Sequence, residues 1–200
     1  MQNSFQPIIV EKTYSTPNLL KKRTNNENMK IFLDTAVYED IEKANQTGLI
    51  DGVTTNPSLI LKSGGDPVET IKKISGDFPF FESISAEVVA DNALEMVDQA
   101  QAFKDMQNVT IKVPLTVEGL KACKLLSQDG FTVNVTLCFS VAQAILASKA
   151  GATYISPFVG RVDDNSFDGL ELVGDIAKLY REHLSRTQVL AASLRNVKDV

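Results

Sequence analysis

The sequence predicts an α/β protein, a (β/α)8 barrel that is incomplete at its C-terminus. Three observations predict this fold. Short apolar segments alternate with longer segments in which apolar residues recur at helical spacing. The apolar segments carry polar side chains at alternate positions near their ends, and the 200-residue chain is short for a fold that typically takes roughly 250 residues.

Seven segments have the apolar, β-branched composition of strands. In chain order they are KIFLDT (30–35), GVTTN (52–56), SISAEVVA (83–90), VTIKVP (109–114), TVNVTL (132–137), TYISPF (153–158) and QVLAAS (188–193). Six segments between them have helical periodicity: VYEDIEKANQT (37–47), DPVETIKKIS (66–75), NALEMVDQAQAFKDM (92–106), TVEGLKACKLLSQ (116–128), SVAQAILASKA (140–150) and DGLELVGDIAKLYREHL (168–184). Such alternation predicts right-handed crossovers and a parallel sheet.

The alternation within the strands favours a closed barrel over an open sheet. Polar side chains stand at every second position towards the strand ends: Asp34, Thr54, Asn56, Ser85, Glu87, Thr110, Lys112, Thr132, Asn134, Thr136 and Ser156. The residues between them are mostly apolar, which suits an outer face covered by helices. An open sheet would place its ligands at a glycine-rich loop, and the sequence has neither GxGxxG nor GxxxxGK. We therefore predict one polar pocket at the C-terminal ends of the strands.

The chain stops where a helix should follow the seventh strand. Without an eighth strand and the last helices, strands one and seven of the barrel cannot pair, and both edges would be exposed. We therefore expect this chain to be a fragment of a longer reading frame that folds poorly by itself.

Residues 1–28 lack a sustained period and end in the polar run KKRTNNEN. We expect them to form a disordered N-terminal extension, with the barrel domain spanning residues 29–200. A transit peptide is a weaker alternative, because Glu11 and Glu27 break the acid-poor pattern of such segments. Met29 is an equally good candidate for the true start of the protein.

The composition excludes several classes of function. A net charge of −5 and a pI near 5.0 argue against a nucleic-acid surface. The only two cysteines, Cys123 and Cys138, are not in a CxxC spacing, so neither a zinc site nor a disulfide framework is expected. No apolar run approaches the ~18 residues of a membrane span. We expect a soluble cytoplasmic protein.

Lys112 is the residue that most strongly suggests chemistry. It lies within a strand of Val and Ile residues, where a buried ammonium is unfavourable unless it is paired or loses its proton. A neutral lysine amine attacks ketones to form a Schiff base, and Asp34 and Glu87 on neighbouring strands would supply acid and base groups. The structural alternative is an ion pair between Lys112 and Glu87.

The strand ends also carry a resemblance to a known family. The segments are FLDTA (32–36), GVTTNPSL (52–59), SAEVVA (85–90), IKVPLTVEGL (111–120), NVTLCFS (134–140), ISPFVGRVDD (155–164) and LAASLRN (190–196). In this order they resemble the strand-end motifs of the transaldolase family, and in particular its short bacterial branch, which includes fructose-6-phosphate aldolases. The resemblance implies a class I aldolase type of barrel.

The resemblance also implies catalytic roles. Lys112 would form the Schiff base with the C2 carbonyl of a ketose phosphate such as fructose 6-phosphate. Asp34 would accept the C4 hydroxyl proton as the C3–C4 bond breaks. Glu87 would shuttle protons, through a water molecule, while the carbinolamine dehydrates.

The resemblance further implies a set of substrate-binding residues. Those expected to bind hydroxyl groups of the three-carbon unit, or to position the water or Glu87, are Thr54, Asn56, Asn134, Thr136, Ser156 and Phe158. Arg161 and Arg195 would bind the phosphate with help from Ser193, since a guanidinium matches that group well. The structural alternative for Arg161 is a surface ion pair with Asp163 or Asp164.

Two positions discriminate within the family. Glu87 stands where the aldolase branch has a glutamine, and Phe158 stands where it has a tyrosine, so both resemble transaldolase proper. Such an enzyme transfers a dihydroxyacetone unit from sedoheptulose 7-phosphate or fructose 6-phosphate to glyceraldehyde 3-phosphate or erythrose 4-phosphate in the non-oxidative pentose phosphate pathway. The resemblance implies no metal, no cofactor and a homo-oligomeric parent protein. The alternatives are an aldolase that releases free dihydroxyacetone, and an inactive sugar-phosphate-binding fragment.

Overall fold

The structure is a computed structural model that describes residues 7–11, 29–196 and 199. The eight strands of this part of the chain are β1 (Pro7–Glu11), β2 (Met29–Asp34), β3 (Gly52–Thr54), β4 (Ser83–Glu87), β5 (Val109–Pro114), β6 (Thr132–Cys138), β7 (Tyr154–Pro157) and β8 (Gln188–Ala191).

The α-helices of the described residues lie between the parallel strands. They are α1 (Tyr38–Asn45), α2 (Pro57–Ser63), α3 (Pro67–Asp77), α4 (Ala93–Ala100), α5 (Val117–Gln128), α6 (Val141–Ala150), α7 (Val159–Asp163) and α8 (Gly169–Glu182). Several begin after a side chain that accepts a hydrogen bond from the first helical turn: Asn56, Asp66, Asn92, Thr116, Ser140 and Asp168. All six predicted helices are present, and the short helices α2 and α7 were not predicted.

The predicted parallel sheet is confirmed. Strands β2 to β8 pair in chain order, each parallel to the next. These seven parallel strands, alternating with helices, form an incomplete (β/α)8 barrel. The strand ends that carry the predicted polar residues therefore meet at one end of the sheet.

The gap between the first and last parallel strands is filled by β1. This strand pairs antiparallel with β2, from Pro7 opposite Leu33 to Glu11 opposite Met29. It also pairs antiparallel with β8, from Ile9 opposite Ala191 to Glu11 opposite Val189, so the barrel is closed. The expectation of two exposed edges was therefore wrong for the described residues. Within the predicted N-terminal extension, residues 1–28, the structure describes residues 7–11, which form β1, and the rest of that range lies outside the described residues.

The barrel separates two apolar layers. The interior contains a cluster of three almost fully buried residues, Phe32, Tyr154 and Leu190. The residues at the intervening strand positions, such as Val53, Ile111 and Val135, belong instead to the large cluster between the barrel and its helices. This division confirms the predicted inward and outward faces, because side chains of a strand alternate between its two faces.

A second buried lysine lies at the N-terminal end of the barrel. Lys30 at the start of β2 pairs with Glu82, which also accepts a hydrogen bond of 2.9 Å from the Tyr154 hydroxyl. Lys30 is only 7% exposed. Lys30 is therefore a buried, glutamate-paired lysine like Lys112, but it lies at the end of the barrel opposite the polar pocket.

Both cysteines are free and buried. Burial raises the pKa of the Cys123 thiol to about 12 and that of the Cys138 thiol to about 11, so both remain protonated at neutral pH. Over the described residues, none of the helices combines the length and the apolar character needed to cross a bilayer.

Candidate active site

A polar cavity of about 250 Å³ opens at the C-terminal ends of the strands. Its lining comprises Asp34, Thr54, Asn56, Lys112, Asn134, Thr136, Ser156, Phe158, Arg161, Leu190, Ala192, Ser193 and Arg195. Every residue predicted to be catalytic or to bind substrate lies on the cavity wall except Glu87, which contacts Lys112 directly. Ser85, Thr110 and Thr132 were also predicted to face the pocket, but they do not line it. Leu190 and Ala192 were missed, although the alternation of β8 would have placed them inward together with Gln188.

Lys112 is buried near the centre of this site. It follows from the strand register that Glu87 and Asn134 are its neighbours on β4 and β6. Its Nζ atom lies 2.9 Å from Glu87 Oε2, and its side chain is 11% exposed. Both interpretations of Lys112 require this contact, because a proton shuttle and a structural ion pair each place the carboxylate beside the amine.

Asp34 ends β2 beside Thr54, whose hydroxyl donates a hydrogen bond of 2.8 Å to Oδ1. Burial raises the pKa of the Asp34 carboxyl above its ordinary value, while the Thr54 hydrogen bond and the charge of Lys112 partly oppose that rise. A carboxyl group with a raised pKa is well suited to exchange protons near neutral pH.

The two amide side chains of the site have their oxygens already engaged. Asn56 Oδ1 accepts a hydrogen bond of 3.0 Å from the Leu59 backbone at the start of α2. Asn134 Oδ1 accepts one of 2.9 Å from the Ser156 hydroxyl. Among the described residues, neither NH₂ group has a hydrogen-bond acceptor, so both are left to donate, which suits a ligand rich in hydroxyl oxygens.

Thr136 lies beside an irregularity of β6. The strand register shifts between Thr136 and Cys138, and the intervening Leu137 has a φ of 65°, a left-handed conformation that is unfavourable for a branched residue. Within the described part of the chain, the buried Thr136 hydroxyl has no hydrogen-bond partner. Bulges next to active sites typically redirect side chains, and this one leaves a buried hydroxyl free at the cavity wall.

Two arginines line the mouth of the cavity. Nη1 of Arg195 lies 2.6 Å and 2.8 Å from the two carboxylate oxygens of Asp164. The guanidinium of Arg161 lies 5.1 Å from the centre of the Phe158 ring, in a cation–π contact. Asp164 therefore pairs with Arg195 and not with Arg161, while Asp163 accepts a hydrogen bond from the backbone of Gly169.

Gly160 allows Arg195 to approach the backbone of α7. A Cβ atom at position 160 would lie 2.5 Å from Arg195 Nε and 2.6 Å from the Ser193 carbonyl oxygen, so any larger residue would displace them. Ser193 itself has a φ of 59°. A left-handed non-glycine residue is uncommon and is found where the surrounding structure determines the conformation, as at ligand sites.

Comparison with known proteins gives matches over most of the chain. The profile of the transaldolase/fructose-6-phosphate aldolase family matches residues 31–200. The chain is 54% identical over 173 residues to a probable transaldolase of Paracoccus denitrificans. The aligned region covers 86% of this chain and 79% of that protein. It is 54% identical over 175 residues to a probable transaldolase of Erythrobacter litoralis, and 51% identical over 173 residues to one of Sinorhizobium medicae, with the same coverage in both cases.

Proposed function

The chain belongs to the transaldolase/fructose-6-phosphate aldolase family, and we propose that it is a transaldolase that acts through a Schiff base on Lys112. The observation that supports this most strongly is the placement of one buried lysine against Glu87 in a polar cavity that Asp34 and two arginines also line. A cytoplasmic location, where sugar phosphates occur, is part of the same proposal.

In the first half of the reaction, Glu87 takes a proton from the Lys112 ammonium, and the resulting neutral amine attacks the C2 carbonyl of a ketose phosphate. The amine transfers a proton to the developing alkoxide, which gives a carbinolamine. Glu87 then delivers a proton to the C2 hydroxyl, either directly or through a water molecule that the free Thr136 hydroxyl could bind. Water leaves, and the nitrogen lone pair forms the C=N bond of a protonated imine.

In the second half, Asp34 accepts the proton of the C4 hydroxyl as the C3–C4 bond breaks. The bonding electrons move into the imine to give an enamine, and an aldose phosphate is released. An acceptor aldose phosphate then binds, its aldehyde carbon bonds to the enamine carbon, and Asp34 returns the proton to the new hydroxyl. Hydrolysis of the imine releases the product ketose and restores the Lys112 amine.

The remaining cavity residues provide binding groups for such substrates. The NH₂ groups of Asn56 and Asn134 are suited to hold hydroxyl oxygens of the three-carbon unit that stays on the lysine. Arg161 and Arg195 are suited to bind the phosphate at the mouth of the cavity. Because Asp164 already occupies one nitrogen of Arg195, the phosphate would use the others.

Transfer to an acceptor separates this proposal from the aldolase alternative. We expect that the purified protein, given fructose 6-phosphate and erythrose 4-phosphate, will form sedoheptulose 7-phosphate and glyceraldehyde 3-phosphate, measured by mass spectrometry and a coupled dehydrogenase assay. With fructose 6-phosphate alone, only traces of free dihydroxyacetone should appear. Abundant dihydroxyacetone without an acceptor would instead identify an aldolase. No turnover by a folded sample would favour the inactive fragment.

A pH dependence follows from the environment of Asp34. Because its carboxyl pKa is raised, we expect kcat/KM to fall as the pH drops through a value above the ordinary aspartate range, where the base becomes protonated. Thr54→Val removes the hydrogen bond that lowers this pKa, so the acid limb should move to higher pH. Thr54→Ser keeps the hydroxyl and should shift the limb less. Identical acid limbs in the wild type and in Thr54→Val would contradict the role of Asp34 as the base.

A further inference from the structure

Thr55 and Ser85 join the ends of β3 and β4 directly beneath the reacting lysine. The Thr55 backbone N–H donates a hydrogen bond of 2.7 Å to Ser85 Oγ, and the Thr55 hydroxyl donates one of 2.7 Å to the Ser85 carbonyl oxygen. Thr55 is 0% exposed and Ser85 is 1% exposed. Ser85 was predicted to face the polar pocket but was given no role there, and Thr55 was not predicted. Neither residue belongs to the wall of the cavity.

Hydrogen bonds of these two side chains join β3 and β4 beyond the last residues that pair through their backbones. The paired residues of β3 and β4 are Gly52 with Ser83 and Val53 with Ile84. Beyond that point the Thr55 N–H bonds to the Ser85 hydroxyl oxygen and not to a backbone carbonyl of β4. The strand ends are thus held by side-chain hydrogen bonds at the level of the active site.

This arrangement directs the Thr55 carbonyl oxygen towards Lys112. Nζ of Lys112 donates a hydrogen bond of 3.3 Å to this oxygen. The amine therefore has two acceptors, the Glu87 carboxylate at 2.9 Å and the Thr55 carbonyl. The carboxylate can take up a proton, whereas the backbone carbonyl only accepts a hydrogen bond and stays neutral.

We propose that Thr55 and Ser85 are positioning residues, which hold the Thr55 carbonyl as the fixed acceptor for Lys112 before and after the Schiff base forms. The inference rests on the proposed function, because it requires that Lys112 becomes an imine. A protonated imine nitrogen carries a single N–H. A carbonyl that is held in place accepts this hydrogen, orients the plane of the imine, and leaves Glu87 free to move protons to and from the C2 oxygen.

The chain offers a matched control on the same strand. Ser83 is also a buried serine of β4, and its hydroxyl donates a hydrogen bond of 2.7 Å to Thr110 Oγ1, away from the cavity. Ser85→Ala and Ser83→Ala therefore delete the same atom from the same strand. The Ser85 hydroxyl accepts a hydrogen bond from the Thr55 backbone, whereas the Ser83 hydroxyl donates one to a side chain. Only Ser85→Ala removes a hydrogen bond that holds Thr55, whose carbonyl oxygen accepts from Lys112.

We expect Ser85→Ala to lower kcat about tenfold, since misplacing a reacting group weakens the transition state more than the ground state. The KM for fructose 6-phosphate should change less than about twofold, because the arginines and amides that bind substrate are untouched. Ser83→Ala should leave both constants within about twofold of the wild type. Equal losses of kcat in the two variants, or an unchanged kcat in Ser85→Ala, would overturn the proposal.

A second pair of variants keeps the test decisive if Ser85→Ala does not fold. Thr55→Val preserves the shape of the side chain but removes the hydroxyl that bonds to the Ser85 carbonyl. Thr55→Ser restores that hydroxyl and should regain most of the kcat lost in Thr55→Val. Equal kcat values in these two variants would show that the hydroxyl does not position Lys112.

Borohydride trapping separates this inference from the proposed function. Wild-type protein incubated with fructose 6-phosphate and borohydride should acquire a three-carbon adduct on Lys112, and the variants should acquire it more slowly. Absence of the adduct in folded wild-type protein would overturn both proposals. A wild-type adduct that Ser85→Ala and Thr55→Val form at the wild-type rate would overturn only the role of Thr55 and Ser85.

Discussion

Lys112→Met will abolish both the borohydride-trapped adduct and transaldolase turnover. The substitution keeps an unbranched side chain of similar length but removes the nucleophile, and losing a covalent nucleophile lowers the rate by at least about 10⁴-fold. Peptide mass spectrometry after trapping with fructose 6-phosphate measures the adduct, and the coupled assay measures turnover. Circular dichroism establishes that the variant is folded.

Lys30→Met is the matched control for this experiment. Lys30 is likewise a buried lysine of a barrel strand with a glutamate partner, but it lies at the end of the barrel opposite the cavity. Its variant should still form the adduct on Lys112. An adduct of equal yield in Lys112→Met, carried by another peptide, would show that a different residue is the nucleophile.

Removal of residues 1–11 is the second change with a large expected effect. It deletes β1 and leaves β2 and β8 without the partner that closes the sheet. An open barrel exposes two strand edges and its apolar interior, so we expect aggregation and loss of a cooperative thermal transition. The full chain, in contrast, should unfold cooperatively.

A milder variant and a control test whether the loss of stability comes from β1 itself. Val10→Pro places a proline in a strand with a partner on each side, where the lost N–H and the fixed φ should cost about 3 kcal/mol. That corresponds to a fall of roughly 6–12 °C in the Tm of a chain this long. Removal of residues 1–6 retains β1 and serves as the control. If the two truncated proteins unfold at the same temperature, β1 does not stabilise the barrel.

The period-2 alternation of the strands was enough to predict most of the cavity. Once a segment such as VTIKVP is recognised as a strand, every second side chain must face the same side, which places Lys112 inward whatever the details of packing. Parallel pairing then brings Glu87 and Asn134 beside it. The inward positions of Lys112, Glu87 and Asn134 therefore follow from local periodicity combined with the fold class. Arg161, Ser193 and Arg195 were predicted only from the family resemblance.

Other features could not be predicted in this way. The segment of β1, PIIVE, is a short apolar run that no sustained helical periodicity follows in the sequence, and its partner β8 is distant from it in the chain. The role of Thr55 depends on its backbone carbonyl, which every residue possesses, so no side-chain pattern could mark it. The pairing of Asp164 with Arg195 is likewise set by how α7 packs beside the turn after β8.

The closure of the barrel by β1 also determines when the protein can finish folding during its synthesis. β1 leaves the ribosome long before its partner β8, because all the other described strands lie between them in the sequence. The β-α units in between can form from local contacts as they emerge, but β1 has only one of its two partners until β8 has been made. The sheet can therefore close only after β8 has emerged, and the nascent chain carries an open strand edge until then.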